Sequence, residues 1–343
     1  MKKNFFSTIA LIVVTLASCS KDLEKPTPAP ASDTPQVCIT LADDTDADTR
    51  AFFNDTAVAE AWEKSLSSFT VFAFDMDSDH LILRRGFTAA ELTAKTATFA
   101  LPKSLAGKAC AFYAVANYDV PAMQTRAELL ALVERAIVDY NGTFAEVSTS
   151  AKRSGGFVMT GMNILNIGAG NTTTSVPIRL LRTVAKVAVR TTVDQIFAQK
   201  YGGTITVNSV KLSRSASQTR LFYHANLSTG AIDFTHTQVS AMESGVYRSL
   251  FYCYENGVLP EGGRVLLEIH ATYDFDGNDA TTDDRSEVVY PIELMGTDAG
   301  QLLRNGYYRI AANITGLAGL DCSVSFTVAD WEAPITQTVE LGA

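Results

Sequence analysis

The stretch Val265-Leu266-Leu267-Glu268-Ile269-His270-Ala271-Thr272-Tyr273 decides the fold class. In an extended chain, Val265, Leu267, Ile269, Ala271 and Tyr273 share one face, while Leu266, Glu268, His270 and Thr272 share the other. One face is therefore buried and the other mostly wet, which is the pattern of a half-buried strand. The same period recurs at 69–74, 97–101, 109–116, 157–162, 181–191, 204–212, 247–254, 307–314 and 324–328. Strands at such short spacing imply an all-β chain of antiparallel β-sandwiches.

Two helices interrupt this pattern. The first is expected to begin at a cap on Asp55 or Thr56, with Val58, Trp62 and Leu66 stacked at i, i+4 and i+8. In the second, Leu129, Val133 and Ile137 form the stripe and Leu130 and Leu132 widen it. One or two short helices cannot supply the crossovers of a parallel sheet, so a doubly wound nucleotide-binding fold is disfavoured.

The 343 residues suffice for two domains at about 100 to 200 residues each. The polar stretch at 168–175, Gly-Ala-Gly-Asn-Thr-Thr-Thr-Ser, has no hydrophobic period and is the expected boundary. It would divide 51–174, an N-terminal sandwich, from 175–343, a C-terminal one. A formal charge of -9 argues against a nucleic-acid partner, since binding phosphates takes clustered Lys and Arg.

Residues 1–19 read as a lipoprotein signal peptide. Lys2 and Lys3 precede an apolar run too short to span a bilayer, and Leu16-Ala17-Ser18-Cys19 resembles the lipobox that places an acyl lipid on a cysteine thiol. Residues 20–35, with the Pro-rich run at 25–30, form an extended tether to an outer membrane. Cys38, Cys110, Cys253 and Cys322 show no zinc spacing, and small buried thiols are the plainer reading in a compartment that would permit disulfides.

The DxDxD run Asp75, Asp77 and Asp79 suggests calcium, but His80 and Gly86 stand where a calcium loop needs glycine and glutamate. Asp274, Asp276, Asn278 and Asp279 fail in the same way, with Arg285 at the twelfth position. Both read as hairpin turns. No nucleophile elbow, phosphate loop or HExxH pair is present, so no metal, cofactor or catalytic residue is expected.

Several segments together resemble the fimbrillin family, the major fimbrial subunits and relatives that build type V pili. In the first half these are Val71-Phe72-Ala73-Phe74-Asp75, Tyr113-Ala114-Val115-Ala116-Asn117 and Met159-Thr160-Gly161. In the second they are Leu181-Arg182-Thr183-Val184-Ala185-Lys186-Val187, Phe251-Tyr252-Cys253-Tyr254-Glu255-Asn256, Arg304-Asn305-Gly306-Tyr307-Tyr308 and Val328-Ala329-Asp330-Trp331-Glu332. The resemblance implies two transthyretin-like β-sandwich domains. It also implies export as a lipoprotein, trimming by an arginine-specific protease, and polymerisation with other copies or related subunits by strand exchange.

Two features match that history. Val37, Ile39 and Leu41 alternate as a first strand, and the acidic segment at 43–50 follows it, ending in Arg50. Cleavage between Arg50 and Ala51 would detach residues 36–50, although Arg126 and Arg153 offer similar sites. At the other end, Ile335, Gln337, Val339 and Leu341 point to one side and Thr336, Thr338 and Glu340 to the other, which suits a donor strand. A stalk or accessory tip subunit serving adhesion is the first expectation. A pilus anchor that keeps its first strand, or a surface glycan-binding lipoprotein, is the alternative. Trp62 and Trp331 give little help to the last, both being read as core residues.

Overall fold

The computed structural model describes residues 34–42, 53, 59–224, 232–278, 280–297, 299–317, 322–330 and 339–341, the last two segments by their backbone. Strands β1 (Gln36–Leu41), β2 (Phe69–Asp75), β3 (Leu81–Gly86), β4 (Thr96–Ala100), β5 (Ala109–Ala116), β6 (Val133–Glu134), β7 (Met159–Asn166), β8 (Thr173–Ile178) and β9 (Leu181–Arg182) make the first half. In it the sheet β4-β1-β8 lies over the sheet β3-β2-β5-β7-β9. Val37, Ile39 and Leu41 meet Val71, Phe112, Val176 and Ile178 in the core between them. The opposite face of the five-stranded sheet carries a second core built on Phe72, Phe74, Tyr113 and Val115.

The second half contains β10 (Val184–Val193), β11 (Thr204–Ser215), β12 (Thr219–Arg220), β13 (Phe234–Val239), β14 (Ala241–Glu243), β15 (Val246–Tyr254), β16 (Leu266–Asp274), β17 (Arg285–Glu293), β18 (Gly306–Ile314), β19 (Cys322–Asp330) and β20 (Val339–Leu341). Its sheets run β14-β15-β10-β18-β19-β20 and β13-β11-β16-β17. On β16, Leu267, Ile269 and Ala271 are buried as their alternation requires. A bulge between Val207 and Ser209 in β11 shifts the register by one residue, which turns Val210 and Leu212 to the side that Ile205 and Val207 occupy.

Five short helices lie among the described residues: α1 (Ala89–Ala94), α2 (Arg126–Ala131), α3 (Ile137–Tyr140), α4 (Phe144–Thr149) and α5 (Ile196–Tyr201). Thr88, Thr125 and Thr143 open α1, α2 and α4 with capping boxes that recruit Glu91, Glu128 and Glu146. α3 and α4 pack on β15, and Phe157 lies 4.9 Å from Tyr252, so the six-stranded sheet is covered on both faces. That is why β10 is buried at six consecutive positions from Val184 to Val189 instead of at alternate ones.

Both expected helices differ from what the chain builds, and for one reason. Trp62 packs on the C-terminal core and Leu66 on the N-terminal core, so a single rod cannot carry both. The chain makes a 3-10 turn at Ala61–Lys64 and is extended from Ser65, while Asp55, Thr56 and Val58 lie outside the described residues. Likewise Leu129 belongs to the second N-terminal core and Ile137 to the C-terminal one. The expected helix therefore stops at Ala131, and Val133–Glu134 pairs with Thr219–Arg220.

The expected boundary also moves. Thr173–Ile178 is paired with β1 and β9 with β7, so the sheets change over between Arg182 and Val184, beyond 168–175. Among the described residues no helix is long and apolar enough to cross a membrane.

Candidate functional site

β1 is the middle strand of its sheet. It pairs antiparallel with β4, Val37 facing Phe99 and Ile39 facing Ala97, and parallel with β8, Ile39 facing Val176 and Leu41 facing Ile178. Val37 and Ile39 are wholly buried and Leu41 nearly so, which is worth roughly 1.5 to 3 kcal/mol for each side chain. At its C-terminal end the ladder is extended by Leu41 N–H to Lys95 O (2.9 Å) and Ala42 N–H to Ile178 O (3.1 Å). Without β1, both β4 and β8 would present an unpaired edge and the core of the first sandwich would lie open between them.

Cys38 points away from that core, within 3.4 Å of Thr96 Oγ1, and hydrogen bonding from Thr96 and then Thr98 lowers its pKa. Burial pushes the thiols of Cys110 and Cys253 up to about 11 and about 12. All three are free. Because the thiolate is the nucleophile, iodoacetamide at mildly alkaline pH is expected to alkylate Cys38 well before the other two. Peptide mapping over a time course reads the order, and equal rates for the three would contradict the burial assigned to Cys110 and Cys253.

At the opposite end, β20 pairs with β19 of the same chain, Phe326 facing Val339 and Val324 facing Leu341. The pairing covers three residues on one side only, at the outer edge of the six-stranded sheet. Ile335 and Gln337, like Cys19, Arg50, Ala51 and Trp331, lie outside the described residues. The competing arginines are engaged: Arg126 pairs with Asp79 at 2.6 Å, and Arg153 donates to the carbonyls of Asn117 and Gly156.

The two ends of the molecule are joined by a buried polar junction that the sequence reading did not single out. Lys186 Nζ lies 2.6 Å from Glu63 Oε1, and the Tyr252 hydroxyl donates to the same oxygen at 3.3 Å. Arg182 donates from Nε to the Glu63 carbonyl (3.0 Å) and from Nη1 to Asn305 Oδ1 (2.9 Å). Glu134 accepts from the hydroxyls of Tyr140 (2.6 Å) and Thr183 (2.7 Å). Burial raises its pKa against the pull of those bonds and of Arg153. Arg304 grips Glu255 with both nitrogens of its fork side and donates to the Leu221 carbonyl at 2.7 Å. Asn117, at φ 60°, accepts from the backbone N–H groups of Ser67 and Ser68 and donates to the carbonyls of Ser65 and Phe157. A signal was available, since charged residues inside apolar runs, such as Arg182 and Lys186 between Leu181 and Val187, must find partners when buried.

The acidic turns close largely on their own backbone, although Asp284 Oδ1 is buried without a hydrogen-bond partner. Asp75 Oδ1 accepts from Asp77 N–H in the β2–β3 turn. The carboxylates of Asp274, Asp276 and Asp284 lie within 4.8 Å of one another. Arg285 neutralises Asp274 at 3.0 Å, and the backbone N–H groups of Gly277, Asn278 and Asp276 occupy the three side chains, as a hairpin loop requires.

No protein-family description and no curated protein matches the chain by sequence. Solved structures do match. A fimbrilin, FimA, from Porphyromonas gingivalis superposes with a TM-score of 0.60 at 14% identity, over 90% of this chain and 100% of that one. The chain has the fimbrillin fold. The tip fimbrial protein Mfa3 of the same organism, with a C-terminal truncation, shares the fimbrillin fold at a TM-score of 0.53 and 13% identity, covering 87% of this chain and 100% of that one. A fimbrial assembly protein from Parabacteroides distasonis matches at 0.50 and 13%, over 90% and 99%. In this fimbrillin fold, motifs that carried the resemblance supply the junction, with Arg182, Thr183, Lys186, Tyr252, Glu255, Arg304 and Asn305 all meeting partners there.

Proposed function

We propose that the chain is a structural subunit of a type V pilus, a stalk or accessory tip component serving adhesion, with no catalytic role. It is exported as a lipoprotein on Cys19 and held at the outer membrane until an arginine-specific protease cuts between Arg50 and Ala51. The cut frees Val37, Ile39 and Leu41, and the C-terminal segment of a neighbouring subunit takes their place. One observation carries this reading: a middle strand whose inward face is buried is joined to the rest of the protein through an acidic segment that ends in a single arginine.

The exchange is favoured by the number of partners. At β19, residues 339–341 are paired on one side only, whereas the position of β1 offers β4 on one side and β8 on the other. Ile335, Val339 and Leu341 would refill the apolar row, with Gln337 the one polar member.

Two substitutions test the life history. Cys19→Ser is expected to abolish incorporation of labelled fatty acid. Arg50→Ala is expected to leave an untrimmed chain that keeps β1 and stays monomeric. Fibres assembled from an Arg50→Ala chain that retains Val37 to Leu41 would overturn the proposal.

A further inference from the structure

β1 and the chain that follows it belong to different halves of the molecule. β1 is built into the first sandwich, but Ala59 and Trp62 pack on the core of the second. Phe53, two positions beyond Ala51, lies over Arg190 at 4.4 Å and Arg309 at 5.9 Å, both on strands of the six-stranded sheet. Glu63 is wholly buried at the end of this run, held by Lys186, Tyr252 and Arg182. Asn117 then fixes Ser65, Ser67 and Ser68 where the chain turns into β2.

We infer that residues 59–65 are a latch. With Glu63 as its bolt, it keeps the new N-terminal segment of the trimmed chain docked on the C-terminal sandwich after β1 has gone. The inference rests on the trimming proposed above. After a cut at Arg50, β1 has no covalent link to the body and can leave by breaking its ladders to β4 and β8. The latch meanwhile shields the Lys64–Ser65 bond, so that a protease cutting after lysine reports whether it is closed, although Ser65 itself is exposed. A protease needs a locally unfolded segment, and a turn anchored by a buried ion pair opens rarely. Without the latch, the segment that feeds β2 would come loose from the C-terminal sandwich along with the new N-terminus.

Trypsin, which cuts after Arg and Lys, reads this directly on the full chain, compared with Glu63→Gln and Lys186→Met variants. The wild-type product is expected to begin at Ala51 with Lys64–Ser65 intact. In both variants the Lys64–Ser65 bond should be cut at least about tenfold faster, giving a product that begins at Ser65, with Arg126 and Arg153 uncut. Equal resistance at Lys64 in the variants would overturn the latch. So would cutting at Lys64 only together with Arg126 and Arg153, because the pair would then support the whole fold and not this segment. Failure to cut the wild type at Arg50 would count against the trimming alone, since the rate at Lys64 is read independently.

Discussion

A chain ending at Pro334 is expected to fold and be trimmed but to form no fibre. Among the described residues, β20 adds three paired residues to an outer edge of the six-stranded sheet. Under the proposed strand exchange, its value lies in the next subunit. Burying Ile335, Val339 and Leu341 contributes roughly 1.5 to 3 kcal/mol each, against an ordering cost of about 1 to 2 kcal/mol for each of seven residues. The two ladders and the covering of an otherwise open core must supply the difference. The deletion should therefore remove polymerisation altogether, as read by electron microscopy and size-exclusion chromatography, with little change in thermal stability. Fibres formed by the truncated chain would contradict this, and so would its failure to fold.

Arg304→Met is expected to be the most damaging single substitution in the junction. It leaves Glu255, 3% exposed, without its guanidinium partner and takes one donor each from the Leu221 and Arg220 carbonyls, which keep the hydroxyls of Thr160 and Thr219. Breaking a buried pair from one side costs about 3 to 5 kcal/mol. Leu221 and Phe222 seal the second N-terminal core, Phe222 lying edge-on to Tyr113 at 4.9 Å, so the loss should loosen both halves together. Urea denaturation measures it. A shift equivalent to less than about 1 kcal/mol would show that water or a rearranged neighbour replaces the pair.

The strands were legible because a sandwich imposes period 2, as in Val265 to Tyr273, while Ala109 to Ala116, buried on both faces, reads as a continuous apolar run. What escaped depends on partners distant in sequence. β8 was hidden because Thr173, Thr174 and Ser175 are polar, with only Val176 and Ile178 buried, and its pairing with β1 spans the whole first half. The helices were misjudged because the i, i+4 spacing of Trp62 with Leu66, and of Leu129 through Val133 to Ile137, is the same whether the residues serve one core or two. β1 could be read from its own alternation of Val37, Ile39 and Leu41. The Glu63–Lys186 pair was only half legible: Lys186 sits inside an apolar run, but Glu63 looks like an ordinary surface charge until the fold brings the two together.

The central claim, that the place of β1 in one subunit is taken by the C-terminal segment of the next, can be tested by one crosslink. Cys38 faces Thr98 across β1 and β4 on the side away from the core, the side that Thr336, Thr338 and Glu340 would occupy in a donor strand. Chains carrying Thr98→Cys are mixed with chains carrying a cysteine at 336, 338 or 340, and fibres are oxidised and mapped by mass spectrometry. The account predicts a disulfide between position 98 of one chain and one of the three positions of the other, present in fibres and absent from untrimmed monomers. Fibres in which none of the three links to position 98 would contradict it.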